Sequence, residues 1–263
     1  MDYFEKIERP LDTDLTWNIP DRKQGSVNII GGNSQHFNTE IRISELMDKN
    51  YPIQNLHTVL PDALETKLPP LPNFIFLEST DSGSFANAEE ILKTLNSADF
   101  NLLIGDLSKN SVTGKAVSSA CASSEKPILI TRDAVDLIAE NINNKLLMND
   151  NLILLTSMPQ LIKLFRSVYY PKVLLLSQSL IQVADAFHKF TLSYPVSIVT
   201  LHNEQILIAK NGIVKAIALS KSGYSPITIW NGELATKILA LNLYNPNSFI
   251  DATISAVMVD NNS

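Results

Sequence analysis

The stretch SIVTLHNEQILIAKNGIVKAIAL, residues 197–219, decides how this chain folds. It holds three short apolar runs: Ser197–Thr200, Gln205–Ala209 and Ile213–Leu219. Asn203-Glu204 and Asn211-Gly212 separate them. Asn-Gly between apolar runs favours a hairpin turn, because both residues tolerate positive φ. The stretch therefore reads as an antiparallel meander of three strands.

Upstream the rhythm is different. Apolar runs at Ser26–Ile30, Leu56–Leu60, Phe74–Leu77, Asn101–Ile104, Pro127–Ile130 and Leu152–Leu155 read as buried strands. Between most of them lie segments of helical spacing: Thr39–Lys49, Asn87–Leu95, Ser111–Ser124, Asp133–Glu140 and Met158–Val168. Ile181–Phe190 is a further helix, and Val173–Leu176 reads as a strand or a helix start. Downstream, a polar loop at 220–226 leads into two helices, about 230–243 and 247–258. Repeated βα units imply a mostly parallel sheet with helices on both faces and right-handed crossovers. The meander should lie at one edge. The expected architecture is an arm over residues 1–25 and a single α/β domain over 26–260.

Composition narrows the function classes. The 263 residues carry a net charge of −6, which disfavours binding to nucleic acid or an anionic membrane. No apolar run approaches the roughly 18 residues of a membrane span. Met1-Asp2-Tyr3-Phe4-Glu5 lacks the basic and apolar regions of a signal peptide, so a cytoplasmic location is expected. The lone cysteine, Cys121, cannot form an internal disulfide and reads as a packed core residue. His36, His57, His188 and His202 share no ligand spacing, and no metal site is expected from them.

Glycine is scarce. There are nine in the chain, against a usual share of about 7%. Only Gly31-Gly32 forms a pair at the end of a strand. No third glycine completes a Rossmann fingerprint. Gly114-Lys115 resembles the end of a P-loop, yet Lys109 stands where its first glycine belongs and Ala116 where its hydroxyl belongs. No Gly-x-Ser-x-Gly elbow occurs.

One junction carries chemistry. Thr228-Ile229-Trp230-Asn231-Gly232-Glu233-Leu234-Ala235 puts a small residue and a carboxylate at an expected helix start. Free N–H groups and the positive dipole end can hold an anion there. The carboxylate can accept a proton from a substrate hydroxyl. A plainer function is also open: Asn231 caps the helix and Glu233 favours its first turn.

In its order of βα units, meander and helix the chain resembles the ribokinase-like superfamily. More narrowly it is similar to the nucleotide-dependent NAD(P)H-hydrate dehydratases. Their Gly-Gly turn is matched by Ile29-Ile30-Gly31-Gly32-Asn33-Ser34, and their Gly-Pro-Gly turn by Ile104-Gly105-Asp106-Leu107. Their Asp-Ala-Asp-Ala-Leu-Asn segment falls on Thr131 to Leu137, and Leu-Thr-Pro-His-Pro-Gly-Glu on Leu155 to Leu161. Their Lys-Gly turn falls near Leu201-His202-Asn203, and Gly-x-Gly-Asp on Trp230-Asn231-Gly232-Glu233.

The resemblance implies a catalytic base, Glu233, and an anion hole of N–H groups at Asn231, Gly232 and Glu233. It implies nucleotide binding at Asn203, Thr228 and Trp230, and substrate binding at Gly31, Gly32, Asn33 and Asp133. ADP or ATP with Mg²⁺ would serve as cofactor, and hydrated NAD(P)H as substrate, in a homo-oligomer.

The departures fall on the same motifs. Trp230 stands where the family has glycine. Glu233 extends one carbon further than the family's aspartate, and a misplacement of ~1 Å can lower a rate ~100-fold. The family's Lys-Gly pair and the His and Glu of its proline-rich segment are missing. The alternative is thus a diverged, non-catalytic member that binds a nucleotide or metabolite as an oligomer. A small-molecule kinase of the same superfamily is a further alternative.

Overall fold

The computed structural model describes residues 2–8, 15–141, 144–221 and 224–258. Its first half alternates strands β1 (Phe4–Ile7), β2 (Ser26–Gly31), β3 (Asn55–Pro61), β4 (Phe74–Leu77) and β5 (Phe100–Gly105) with helices. These helices are α1 (Asn38–Asn50), α2 (Ala88–Asn96) and α3 (Ser111–Ser123). Then come β6 (Ile128–Thr131), α4 (Asp133–Glu140), α5 (Asn144–Leu147), β7 (Leu152–Ser157), α6 (Met158–Ser167) and α7 (Leu180–Ser193). The meander is β8 (Ser197–His202), β9 (Gln205–Lys210) and β10 (Ile213–Ala218), followed by α8 (Pro226–Trp230), α9 (Glu233–Tyr244) and α10 (Phe249–Val257).

All ten strands form one sheet in the order β1-β10-β9-β8-β7-β6-β5-β2-β3-β4. The run from β8 through β7, β6, β5, β2 and β3 to β4 is parallel; β9 and β10 add antiparallel. Both meander turns use positive φ, at Asn203 and Glu204 (46° and 57°) and at Asn211 and Gly212 (49° and 78°). That is the backbone the right-handed twist of a hairpin requires.

Alternate residues of each central strand serve opposite faces. Ile29, Leu102, Ile104 and Leu129 pack with α1, α9 and α10. Ile30, Leu103, Ile128 and Ile130 pack with α2 to α7. The result is a sheet between two helical layers, each with its own apolar core.

Three elements differ from the sequence expectation. Phe4–Ile7, within the expected arm, pairs in parallel with β10 and forms the outermost strand. Its pattern of exposed charges suits an edge strand, and it carries no apolar run to announce itself. Val173–Leu176 is neither strand nor helix. The helix expected from about 230 starts at Glu233 as α9, and an unexpected short helix, α8, precedes it, the two separated at Gly232 with φ +96°.

Chain order sets where a ligand belongs. From β2 the chain runs outward to β3 and β4, then returns to β5 on the other side of β2. The crevice outside the carboxyl ends of β2 and β5 is the topological switch point, the usual ligand site of open α/β sheets.

Candidate functional site

Two glycines form the floor of that crevice. Gly31 ends β2, Gly105 ends β5, and the Gly32 N–H donates to the Gly105 carbonyl at 2.9 Å. Neither glycine has room for a side chain. A Cβ on Gly31 would lie 2.4 Å from Glu40 Oε1 and 2.5 Å from the Gly105 oxygen; one on Gly105 would lie 2.0 Å from Asp133 Oδ1.

Polar side chains lock the rim. Asn33 donates to the Asp106 carbonyl at 2.6 Å and accepts from the N–H groups of Gln35 and His36. Asp133 Oδ1 accepts from the Asp106 N–H at 2.9 Å. Burial raises the Asp133 carboxyl above its ordinary range, and that hydrogen bond opposes the shift. Arg132 pairs with Asp106 at 3.0 Å. Asp106 and Arg132 both adopt positive φ, 53° and 56°. Such backbone is uncommon for residues other than glycine and concentrates at functional sites. The structure thus brings Gly31, Gly32, Asn33 and Asp133 together, and adds Gly105, Asp106 and Arg132.

The α8–α9 junction borders the crevice. Gly232 lies against Ile104 of β5 and Ile43 of α1; a Cβ there would meet them at 2.8 and 3.1 Å. Arg42 of α1 donates to the Asn231 carbonyl. The Asn231 side chain closes on Glu233 from both ends: its amide donates to Glu233 Oε1 at 2.7 Å and its oxygen accepts the Glu233 N–H at 3.0 Å. The Asn231 N–H is bonded to the Ile227 carbonyl at 2.8 Å. Two of the three expected anion-hole donors are thus engaged within the junction. Of those three, only the Gly232 N–H has no partner among the described residues. The N-cap position of α9 is Gly232, which has no side-chain cap, so Asn231 does not cap the helix as expected but holds Glu233 from one residue earlier.

On the other side of the junction is an apolar cavity of about 660 Å³. Its walls include Met158, Pro159, Leu201, Asn203, Ile229 and Trp230, so it lies at the carboxyl ends of β7 and β8. His202 Nε2 donates to the Gln178 carbonyl at 2.8 Å, which holds the end of β8 at the mouth. Trp230 is half exposed at 43%. Thr228 lies in α8, and its side chain is outside the described residues. Asn203 and Trp230 therefore share one cavity, while Asn231, Gly232 and Glu233 stand between it and the crevice.

Glu40 was missed by sequence reasoning. It is 0% exposed on α1, and neither carboxyl oxygen has a hydrogen-bond partner among the described residues. Burial, then the charge of Asp106, pushes its carboxyl up to about 8; its own backbone N–H and Arg132 pull the other way. The signal was present. Glu40, Ile43, Ser44 and Met47 form the buried stripe of α1 at helical spacing. A carboxylate on that stripe, a few residues after Gly31-Gly32, marks a buried charge.

Other candidates take structural places. Gly114 lies inside α3 against Asn141. Cys121 is buried, and desolvation pushes its thiol up to about 12, far from a reactive thiolate. Among the described residues no group of three or more His, Cys, Asp or Glu could hold a metal. No described helix is long and apolar enough to cross a membrane.

The sheet order, the meander and the junction beyond it define a ribokinase-like fold, and solved structures share it. A hypothetical protein of Streptococcus mutans matches over 93% of this chain and 86% of its own, at 14% identity and TM-score 0.62. The ADP/ATP-dependent NAD(P)H-hydrate dehydratase of Bacillus subtilis, crystallised with ATP and Mg²⁺ and soaked with CoA, matches over 96% and 87% at 13% identity and TM-score 0.58. An ADP complex of Bacillus subtilis pyridoxal kinase matches over 89% of each chain at 9% identity and TM-score 0.51. No family model matches the chain, and no curated protein does.

Proposed function

We propose that this protein binds an adenine nucleotide in the cavity beside Trp230 and acts on hydrated NAD(P)H over the Gly31–Gly105 crevice, as an ADP/ATP-dependent NAD(P)H-hydrate dehydratase does. One observation carries the reading: Trp230 lines the cavity, and Gly232, two residues on at the start of α9, packs against Ile104 at the end of β5. The similar dehydratase structure was obtained with ATP and Mg²⁺, which supports the choice of nucleotide.

The nucleotide would supply a phosphoryl group to the hydroxyl of the hydrated nicotinamide ring, and loss of phosphate would restore NAD(P)H. The chain's own residues do the rest. Glu233, released from Asn231, takes the hydroxyl proton. The N–H groups of Gly232 and, once Asn231 has turned away, Glu233 face the developing anion. Gly31, Gly32, Asn33 and Asp133 shape the substrate side, and Trp230, Asn203 and Thr228 the nucleotide side. Magnesium fits as a companion of the nucleotide, since it commonly binds through substrate phosphates and one or two carboxylates.

A second reading has its own observation. Asn231 holds both ends of Glu233, and Trp230 occupies a position that is glycine in the resembled family. A protein that binds nucleotide without turning over substrate fits this arrangement, with self-association as its route to regulation.

Thermal unfolding with ADP, ATP and magnesium tests both. Saturation at 100 times Kd adds about 2.7 kcal/mol. No shift with either nucleotide removes both readings. A shift, followed by NADH regeneration from hydrated NADH that falls at least ~100-fold in Glu233→Gln, supports the enzyme. A shift without turnover supports the binder, and equal rates in the two proteins remove Glu233 from the mechanism.

A further inference from the structure

Glu40 has no part in the reading above. Burial and two neighbouring carboxyl groups make its environment unfavourable for a carboxylate. Asp106, beyond the end of β5, and Asp133, at the start of α4, add negative charge; Arg132 is the one cation that opposes them. Arg42, on Glu40's own helix, is turned to Asn231.

The space beside Gly31 is more specific. Glu40 Oε1 and the Gly105 carbonyl oxygen both border it, 2.4 and 2.5 Å from where a Gly31 Cβ would be. Two acceptors bordering one small space repel. With a proton on one of them they can form a hydrogen bond. A carbonyl has two lone pairs, and the Gly32 N–H at 2.9 Å takes only one.

We propose that Glu40 is a positioning residue: it carries a proton in the folded protein and donates it to the Gly105 carbonyl, tying α1 to both glycine turns of the crevice. Loss of that proton places an uncompensated charge beneath the turns, and the turns loosen. A buried, unpaired carboxyl persists when it does something an apolar residue cannot. Here it joins three separate segments, 31–32, 40 and 105, at one point.

The unfolded chain ionises Glu40 near its ordinary value of 4.5, whereas the folded protein keeps it protonated to about 8. The folded state thus holds one extra proton across that window, and stability falls as pH rises through it. Glu40→Gln keeps the shape and a donor but cannot ionise.

Two measurements on the ligand-free protein test the proposal. In urea unfolding between pH 5 and 8, the unfolding constant of the wild type should rise about tenfold per pH unit relative to Glu40→Gln, by linkage to one proton. Parallel curves overturn the protonation. In amide exchange, the protection of the Gly32 N–H, corrected for the intrinsic rate, should fall at least ~10-fold between pH 7 and 9 in the wild type and stay level in Glu40→Gln, because an ionised buried carboxyl favours local opening. A constant ratio between the two proteins overturns the positioning role. Neither measurement uses a nucleotide, so the failure of the proposed function leaves both outcomes readable.

Discussion

The crevice floored by Gly31 and Gly105 and the junction at Trp230–Glu233 lie side by side, yet they are built in opposite ways. At the crevice the glycines remain, and side chains of Asn33, Asp106, Arg132 and Asp133 lock the backbone around them. At the junction an indole ends α8, and the Ile227 carbonyl and the Asn231 side chain already take two of the donors an anion would need, the N–H groups of Asn231 and Glu233. The first region is held by long-range bonds between three different segments, 32–33, 105–106 and 132–133. The second is held mainly by bonds within the seven residues from Ile227 to Glu233, so it can rearrange without disturbing the sheet.

This contrast predicts unequal answers to the same substitution. Gly105→Ala should be the most damaging change. Its φ of +112° excludes most side chains, and its Cβ would lie 2.0 Å from Asp133 Oδ1, itself fixed by the Asp106 N–H. A loss of about 3 kcal/mol or more in urea unfolding is expected from strain and overpacking together. Gly232→Ala, at φ +96°, meets the ends of the Ile104 and Ile43 side chains, which can turn aside. Its loss should be smaller, about 1–2 kcal/mol from the backbone alone. Equal losses would show that the junction is as rigid as the crevice.

Trp230 supplies the next largest effect, and only the junction should feel it. Half exposed at the cavity wall, it contributes little to the core. Trp230→Ala should leave stability within about 0.5 kcal/mol. It should weaken ADP binding by about 1–3 kcal/mol if adenine stacks on the indole, a range measured for bases on aromatic side chains. Calorimetric titration with ADP reads this directly. Tighter binding in the alanine variant would mean that the indole obstructs the turn.

How much of this was legible follows from what each element depends on. The central strands announce themselves because burial on both faces demands continuous apolar runs, as at Asn101–Ile104. The meander is legible because Asn211-Gly212 encodes its own turn. Phe4–Ile7 is not, because an edge strand half covered by β10 needs only Ile7 inside. The site divides in the same way. Gly31, Gly32 and Gly232 could be found from local sequence. Asp106 and Arg132 could not, since their positive φ and their ion pair depend on segments meeting across the sheet. Glu40 was visible as a position on the apolar stripe of α1, but its meaning depends on Gly105, 65 residues away in sequence and adjacent in space.

Asn231 sets the smallest of these effects and bears most directly on the contrast. Its side chain takes the Glu233 N–H and restrains the Glu233 carboxylate. Removing it in Asn231→Ala loses these hydrogen bonds, worth about 1 kcal/mol of stability. The same change frees a donor and a carboxylate. If the junction is a latent anion site, ADP should bind several-fold more tightly to the variant while its unfolding midpoint falls. The two observables then move in opposite directions, the mark of a structural bond that competes with a ligand. If both fall together, the Asn231 side chain is itself part of the binding surface. The junction then resembles the crevice in depending on side chains for its shape, and the contrast between the two regions is lost.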